Sequence, residues 1–305
     1  MENKVPEKAE LGSIVAGVDG SPSAHAAALW AAEEAERRGC SLHLVHATDT
    51  DRRMLYTDAD TIQDVREAGR DLLIELAEAV GAEHPGLTVT RELSRQEPVA
   101  ALRAAAGGRG TVVVGNRGLG GFAALMLGSV GLGVAARAQG PVIVVRGDAD
   151  RPHHASVTAA VHDAEDLDWL LLAAAEAEAR KAVLRLVSVW NVFTHVGEVA
   201  TMLDDLDGMA QKRVQALKDL ADRVRETCPE LVVAHHVEPG TSTPGILIQA
   251  SEHTDLIVMG RGGRPLGVGP ALGRVAHALI HHAHCPVQIV PHSTAHAEPT
   301  GGEST

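Results

Sequence analysis

Apolar residues fall along the chain in two alternating kinds of run. Short, β-branched blocks read as buried strands: Ser13–Val18, Ser41–Ala47, Thr111–Val114 and Pro141–Val145. Between them lie longer stretches rich in alanine and leucine, with apolar residues at helical spacing. Ala24–Arg38 is one. Asp60–Val80 is another, with Ile62, Val65, Leu72, Leu73, Leu76 and Val80 as its inward face. A third starts at Glu97-Pro98 and runs to Ala106. Leu87–Leu93 alternates and reads as a half-buried strand, whereas residues 48–59 are polar and read as irregular. Pro22 suits a first helical turn behind a serine cap, either Ser21 or Ser23, and Gly39 and Gly107-Gly108 are helix stops. The order βαβαβαβαβ predicts a doubly wound parallel sheet.

The pattern then repeats at an offset of about 145 residues. Ala182–Val189, Asp255–Gly260 and Pro286–Val290 read as strands, and Asp166–Arg180, Glu198–Glu226 and Ala271–His284 as helices. The expectation is an α/β protein of two tandem Rossmann-like domains, residues 11–147 and 155–291, each a five-stranded parallel sheet flanked by helices. Residues 292–305 have the composition of a disordered tail. Val142–Val145 and Val287–Val290 would each leave an apolar sheet edge, which proteins avoid. Pairing these last strands antiparallel covers both and makes an intramolecular pseudo-dimer, with a homodimer of whole chains left open.

Composition narrows the function classes. The chain is 45% apolar but only 2% aromatic, so its core is built from Ala, Val and Leu. A formal net charge of −13 argues against nucleic acid or an anionic membrane as a partner. No apolar run approaches the roughly 18 residues of a membrane span. The N-terminus lacks the apolar core of a signal peptide, and Cys40, Cys228 and Cys285 make neither a metal spacing nor a disulfide framework. A cytoplasmic protein is expected. His281, His282 and His284 sit at a helix end, where histidine suits the dipole, and are read that way before any metal reading.

The candidate chemistry lies after the strand Thr111–Val114. Gly115, Gly118, Gly120 and Gly121 form a loop, with Asn116 and Arg117 along it, and Gly128-Ser129 opens the next helix. Glycine lets a backbone approach an anion with no Cβ in the way. Inward-turned N–H groups and a helix N-terminus add donors and partial positive charge. The spacing is neither the P-loop nor the dinucleotide fingerprint. Asp19 and His46 end two other strands, so three strand ends converge where a doubly wound sheet takes its ligand.

Gly115-x2-Gly118-x9-Gly128-Ser129, followed by Val130 and the strand Pro141–Val145, resembles the ATP-binding branch of the universal stress protein family. So does Val18-Asp19-Gly20-Ser21 after the first strand. The likeness covers residues 11–291. It implies ATP with Mg2+ as ligand, phosphates on Gly115, Asn116, Arg117, Gly118, Gly120, Gly121, Gly128, Ser129 and Val130, Gly17 and Asp19 on the nucleoside side, and backbone near His46-Ala47 facing adenine. It also implies a stress-response sensor or regulator with an unidentified protein partner. No general base or P-loop lysine suggests fast turnover. A slow ATPase or adenylyl-transfer enzyme and a nucleotide-free scaffold remain alternatives. The second copy keeps Gly260, Gly263 and Gly273 but has Arg274 in place of Ser129, and His162-Asp163-Ala164 in place of the Asp19 turn. Pro265 and Pro270 each remove an N–H donor. A weak or empty second site is expected.

Overall fold

A computed structural model describes residues 8–118, 128–146, 152–162, 167–190, 203–262 and 272–291. The first half runs β1 (Ile14–Gly17), α1 (Pro22–Arg38), β2 (Leu42–Ala47), α2 (Thr50–Arg53), α3 (Ala59–Glu83), β3 (Val89–Ser94), α4 (Pro98–Ala106), β4 (Thr111–Gly115), α5 (Ser129–Arg137) and β5 (Val142–Val145). The second runs β6 (Ser156–Ala160), α6 (Leu167–Ala179), β7 (Val183–Trp190), α7 (Leu203–Thr227), β8 (Val233–Pro239), α8 (Thr243–Ala250), β9 (Leu256–Gly260), α9 (Arg274–His282) and β10 (Val287–Val290). The expected tail, 292–305, lies outside the described residues.

The strands form one sheet in the order β3-β2-β1-β4-β5-β10-β9-β6-β7-β8. Pairing is parallel within each half. The halves meet where β5 and β10 pair antiparallel, with Val144 opposite Val287 and Val142 opposite Ile289. The two apolar edges thus cover one another.

Side-chain alternation along β1 explains the layers. Ile14 and Ala16 pack under α1 and α3 with Ala27, Ala31, Leu73 and Leu76. Val15 points to the opposite layer, with Val99 and Leu102 of α4 and Val134 of α5. Alanine on the inner face of α1 lets that helix lie close to the sheet. Ser21 caps α1, its Oγ accepting from the Ala24 N–H at 3.1 Å, and Gly39 ends it in the left-handed region at φ 64°.

One stretch departs from expectation. Residues 48–59 are not wholly irregular, because α2 lies within them. The exit of β3 holds this turn. The Thr48 N–H donates to Ser94 O at 2.9 Å, the Asp51 N–H to Arg95 O at 3.2 Å, and Arg95 pairs with Asp51 at 2.6 Å. These contacts are long-range, so local sequence did not reveal them.

A ring of buried charges also joins the halves. Glu34 of α1 pairs with Arg38 at 2.7 Å and with Arg180 at 2.6 Å. Glu176 of α6 pairs with Arg38 at 2.6 Å and with Arg180. Burial opposes ionisation of Glu34, but Arg180, Arg38 and Arg37 outweigh it and hold its carboxyl at about 2. Burial pushes Glu176 up, against the pull of Arg180 and Arg38.

Candidate functional site

The site begins at the turn after β1. The Asp19 carboxylate accepts from the Ser21 N–H at 3.0 Å, an Asx-type turn that fixes the acid at the strand end. Gly20, at φ 84°, occupies the left-handed region that the turn requires. Ser21 then caps α1, so the helix starts just past the acid.

The end of β4 is laced to that turn. The Ser23 hydroxyl donates to Asn116 Oδ1 at 2.7 Å and accepts from the Arg117 N–H at 3.2 Å. A Cβ at Gly115 would come within 2.6 Å of Ser23 O, so only glycine permits this approach. A Cβ at Gly118 would lie 2.7 Å from Asp19 Oδ2. The acid and the loop, far apart in sequence, are therefore in close contact. Gly128 lies beside them: a Cβ there would be 3.5 Å from the Gly118 N. Ser129, exposed, is the first residue of α5. Gly115, Asn116, Arg117, Gly118, Gly128, Ser129 and Asp19 are thus brought together. Arg117 is exposed beside them. Burial, and then the charge of Arg117, lower the pKa of Arg146 at the end of β5.

Other expected residues have different surroundings. Gly17 faces α4, where a Cβ would meet Leu102 Cδ1 at 2.9 Å and Val114 Cγ1 at 3.3 Å, so its smallness serves packing. The His46 ring is committed to the fold. Its Nδ1–H donates to Val18 O at 2.8 Å, and it lies against Gly69 of α3. Any contact of His46 with a base would fall to its backbone. Ala47 and Val130 are half-buried against the α4–α5 core. Gly120 and Gly121 lie outside the described residues. Sequence reasoning missed Ser23 as a site residue; the Asp19-Gly20-Ser21-Pro22-Ser23 spacing was the available signal.

The universal stress protein family model matches residues 11–146 and again 156–291. The chain belongs to the universal stress protein family. A universal stress protein of Mycobacterium tuberculosis is 31% identical over 92% of this chain and 97% of its own length. One from Mycolicibacterium smegmatis is 28% identical over 91% and 96%. In structure, a universal stress protein from Archaeoglobus fulgidus covers 92% of this chain and 98% of its own, with TM-score 0.68 and 18% identity, a likeness of fold.

This universal stress protein's two halves differ at the equivalent site. Gly273 also lies against the residues that follow its strand, but one position earlier than in the first half, since a Cβ there would lie 3.8 Å from Arg261 O. The backbone pattern survives, but its side chains are used elsewhere. Arg261, in the place of Asn116, sends Nη1 across the boundary to Ala138 O at 2.9 Å and Ala136 O at 3.2 Å. Arg213 of α7 holds the end of β6, donating to His162 O at 2.8 Å and to Ser188 Oγ at 3.1 Å. Arg274 stands exposed at the start of α9, where the first half has Ser129. Gly263, Asp163 and Ala164 and the two loop prolines lie outside the described residues. Among the described residues no helix is long and apolar enough to cross a membrane, and no group of three or more His, Cys, Asp or Glu could hold a metal.

Proposed function

We propose that the first domain binds ATP at the β1–β4 crevice and that the bound nucleotide acts as a signal, making the protein a nucleotide-dependent stress-response regulator. The observation that carries this is the close approach of Gly118 to the Asp19 carboxylate and of Gly128 to the Gly118 N, which brings the acid, the loop backbone and the start of α5 to one strand end. The Gly118 N–H and the first turn of α5, with the Ser129 hydroxyl, suit a polyphosphate. Asp19 supplies a carboxylate for Mg2+, which binds through one or two carboxylates together with phosphate oxygens. The second domain carries no nucleotide in this reading, because Arg261 is spent on the boundary and Arg274 replaces the serine. Cys40, Cys228 and Cys285 form no disulfide, which suits a reducing cytoplasm.

Calorimetric titration of the full chain with Mg·ATP tests the reading. One nucleotide per chain is expected, and none for Gly118→Val. Loss of the signal from Gly263→Val alone would move the ligand to the second half, and no heat with the unmutated chain would end the proposal.

A further inference from the structure

Helix α5 has one end in the candidate site and the other at the domain boundary. Ser129 opens it, and its last carbonyls reach Arg261 of the second half. At nine residues it is under three turns long, about 13 Å. A shift at either end is carried to the other. The terminal carbonyls of a helix lack intrahelical partners, and they carry partial negative charge. One Nη1 of Arg261 answers both needs, bonding Ala136 O and Ala138 O together. Arg261 is itself fixed, its N–H donating to Val290 O at 2.7 Å at the end of β10. The reciprocal strut exists: Arg146 donates to Ala283 O at 3.0 Å and Ile280 O at 2.9 Å at the end of α9. Each half therefore holds, by its C-terminal end, the helix that follows the other half's glycine loop.

We infer that Arg261 is a positioning residue for the first domain's nucleotide site, clamping α5 so that Gly128 and Ser129 face the phosphates. This rests on the proposal that ATP binds there. The second glycine loop thereby keeps a role without a ligand of its own, since its Arg261 braces the helix whose start would bind. The cation at the far end of α5 also offsets the negative pole of the helix, leaving the field at Ser129 more favourable to an anion. Other contacts hold the boundary independently, namely β5–β10 pairing and the ring of Glu34, Arg38, Glu176 and Arg180. Loss of Arg261 should therefore loosen α5 without separating the halves.

The full chain and three variants, Arg261→Gln, Arg261→Lys and Glu176→Gln, would be titrated with Mg·ATP, and amide hydrogen exchange would be followed without nucleotide. Arg261→Gln is expected to weaken ATP about tenfold at unchanged stoichiometry and to speed exchange through the first turn of α5. Arg261→Lys restores most of the affinity, since one ammonium reaches the same carbonyls. Glu176→Gln lowers the melting temperature but leaves affinity within about twofold. Wild-type affinity in Arg261→Gln overturns the inference, as does Arg261→Lys binding no better than Arg261→Gln, or an equal loss in Glu176→Gln. If the unmutated chain binds no nucleotide, the proposed function falls. The exchange of α5 then decides the brace alone: unchanged protection in Arg261→Gln removes it, and faster exchange keeps it.

Discussion

Arg38 and Glu176 belong to different halves of the chain and pair at 2.6 Å, with side-chain exposures of 1% and 0%. Arg180 and Glu34 repeat that contact in reverse at 2.6 Å. Each glutamate also binds the arginine four residues on in its own half. The result is a closed ring in which each member touches two opposite charges, and Glu34 a third in Arg37. Removing one member leaves a buried charge uncompensated, which costs about 3–5 kcal/mol. Glu176→Ala is therefore expected to lower unfolding stability by about that amount in urea titrations. A loss under about 1 kcal/mol would mean that water reaches and solvates the ring.

Glu34 adds a pH dependence of definite sign. Its carboxyl is held at about 2 against an ordinary 4.5, so the folded state binds its proton less readily than the unfolded state. Its stabilisation is complete above the ordinary value and is lost as pH falls from about 4.5 towards 2. Glu176 is shifted the other way by burial, so it protonates first and its own protonation favours the folded state as pH falls. Glu34→Gln should therefore flatten the urea midpoint between pH 4.5 and 2 and lower it at neutral pH. A variant curve parallel to the wild type through that interval would remove Glu34 as the cause.

Two glycines near the crevice should behave differently. At Gly17 an added Cβ runs into Leu102 and Val114, so Gly17→Ala overpacks the sheet against α4 and costs about 1–3 kcal/mol of stability. At Gly118 an added Cβ meets only the Asp19 carboxylate, itself held by the Ser21 N–H, and not the packed core, so the strain falls on the turn after β1. Gly118→Ala should lose less stability than Gly17→Ala and should lose nucleotide affinity. Parallel melts and titrations check the pair. Equal ATP affinity in Gly118→Ala and the parent would show that the space beside Asp19 is not where phosphates lie.

The strand ends and their convergence were legible because buried parallel strands carry continuous β-branched runs. The seam was legible because Val142–Val145 and Val287–Val290 would otherwise be exposed edges. Periodicity does not show which serine caps and which one laces. Ser21 and Ser23 both suit a helix start, and only the approach of β4 gives Ser23 to Asn116 and Arg117. The charge ring left a faint trace, a Glu-x3-Arg in each alanine-rich helix, Glu34 to Arg38 and Glu176 to Arg180. Such spacing ordinarily marks a solvated helix face. Burial of both pairs is a tertiary fact. The same holds for Arg261, whose partners lie across the boundary.

ATP bound in the crevice is expected to turn over slowly. The groups gathered there, backbone N–H donors and the Ser129 hydroxyl, would bind a ground-state phosphate as well as a transition state. Uniform binding does not accelerate chemistry. Hydrolysis needs a group to orient or deprotonate the attacking water. Asp19 is the acid that the fold brings to Gly118, and its Oδ1 already accepts from the Ser21 N–H. Asn116 Oδ1 is engaged by Ser23. Arg117 is the exposed cation beside the loop. Phosphate release should therefore fall well below the roughly 1–100 s⁻¹ of kinases. A continuous phosphate assay at saturating Mg·ATP measures it. Release above about 1 s⁻¹ that disappears in Asp19→Ala, while that variant still binds ATP, would make Asp19 a catalytic residue and the protein an enzyme.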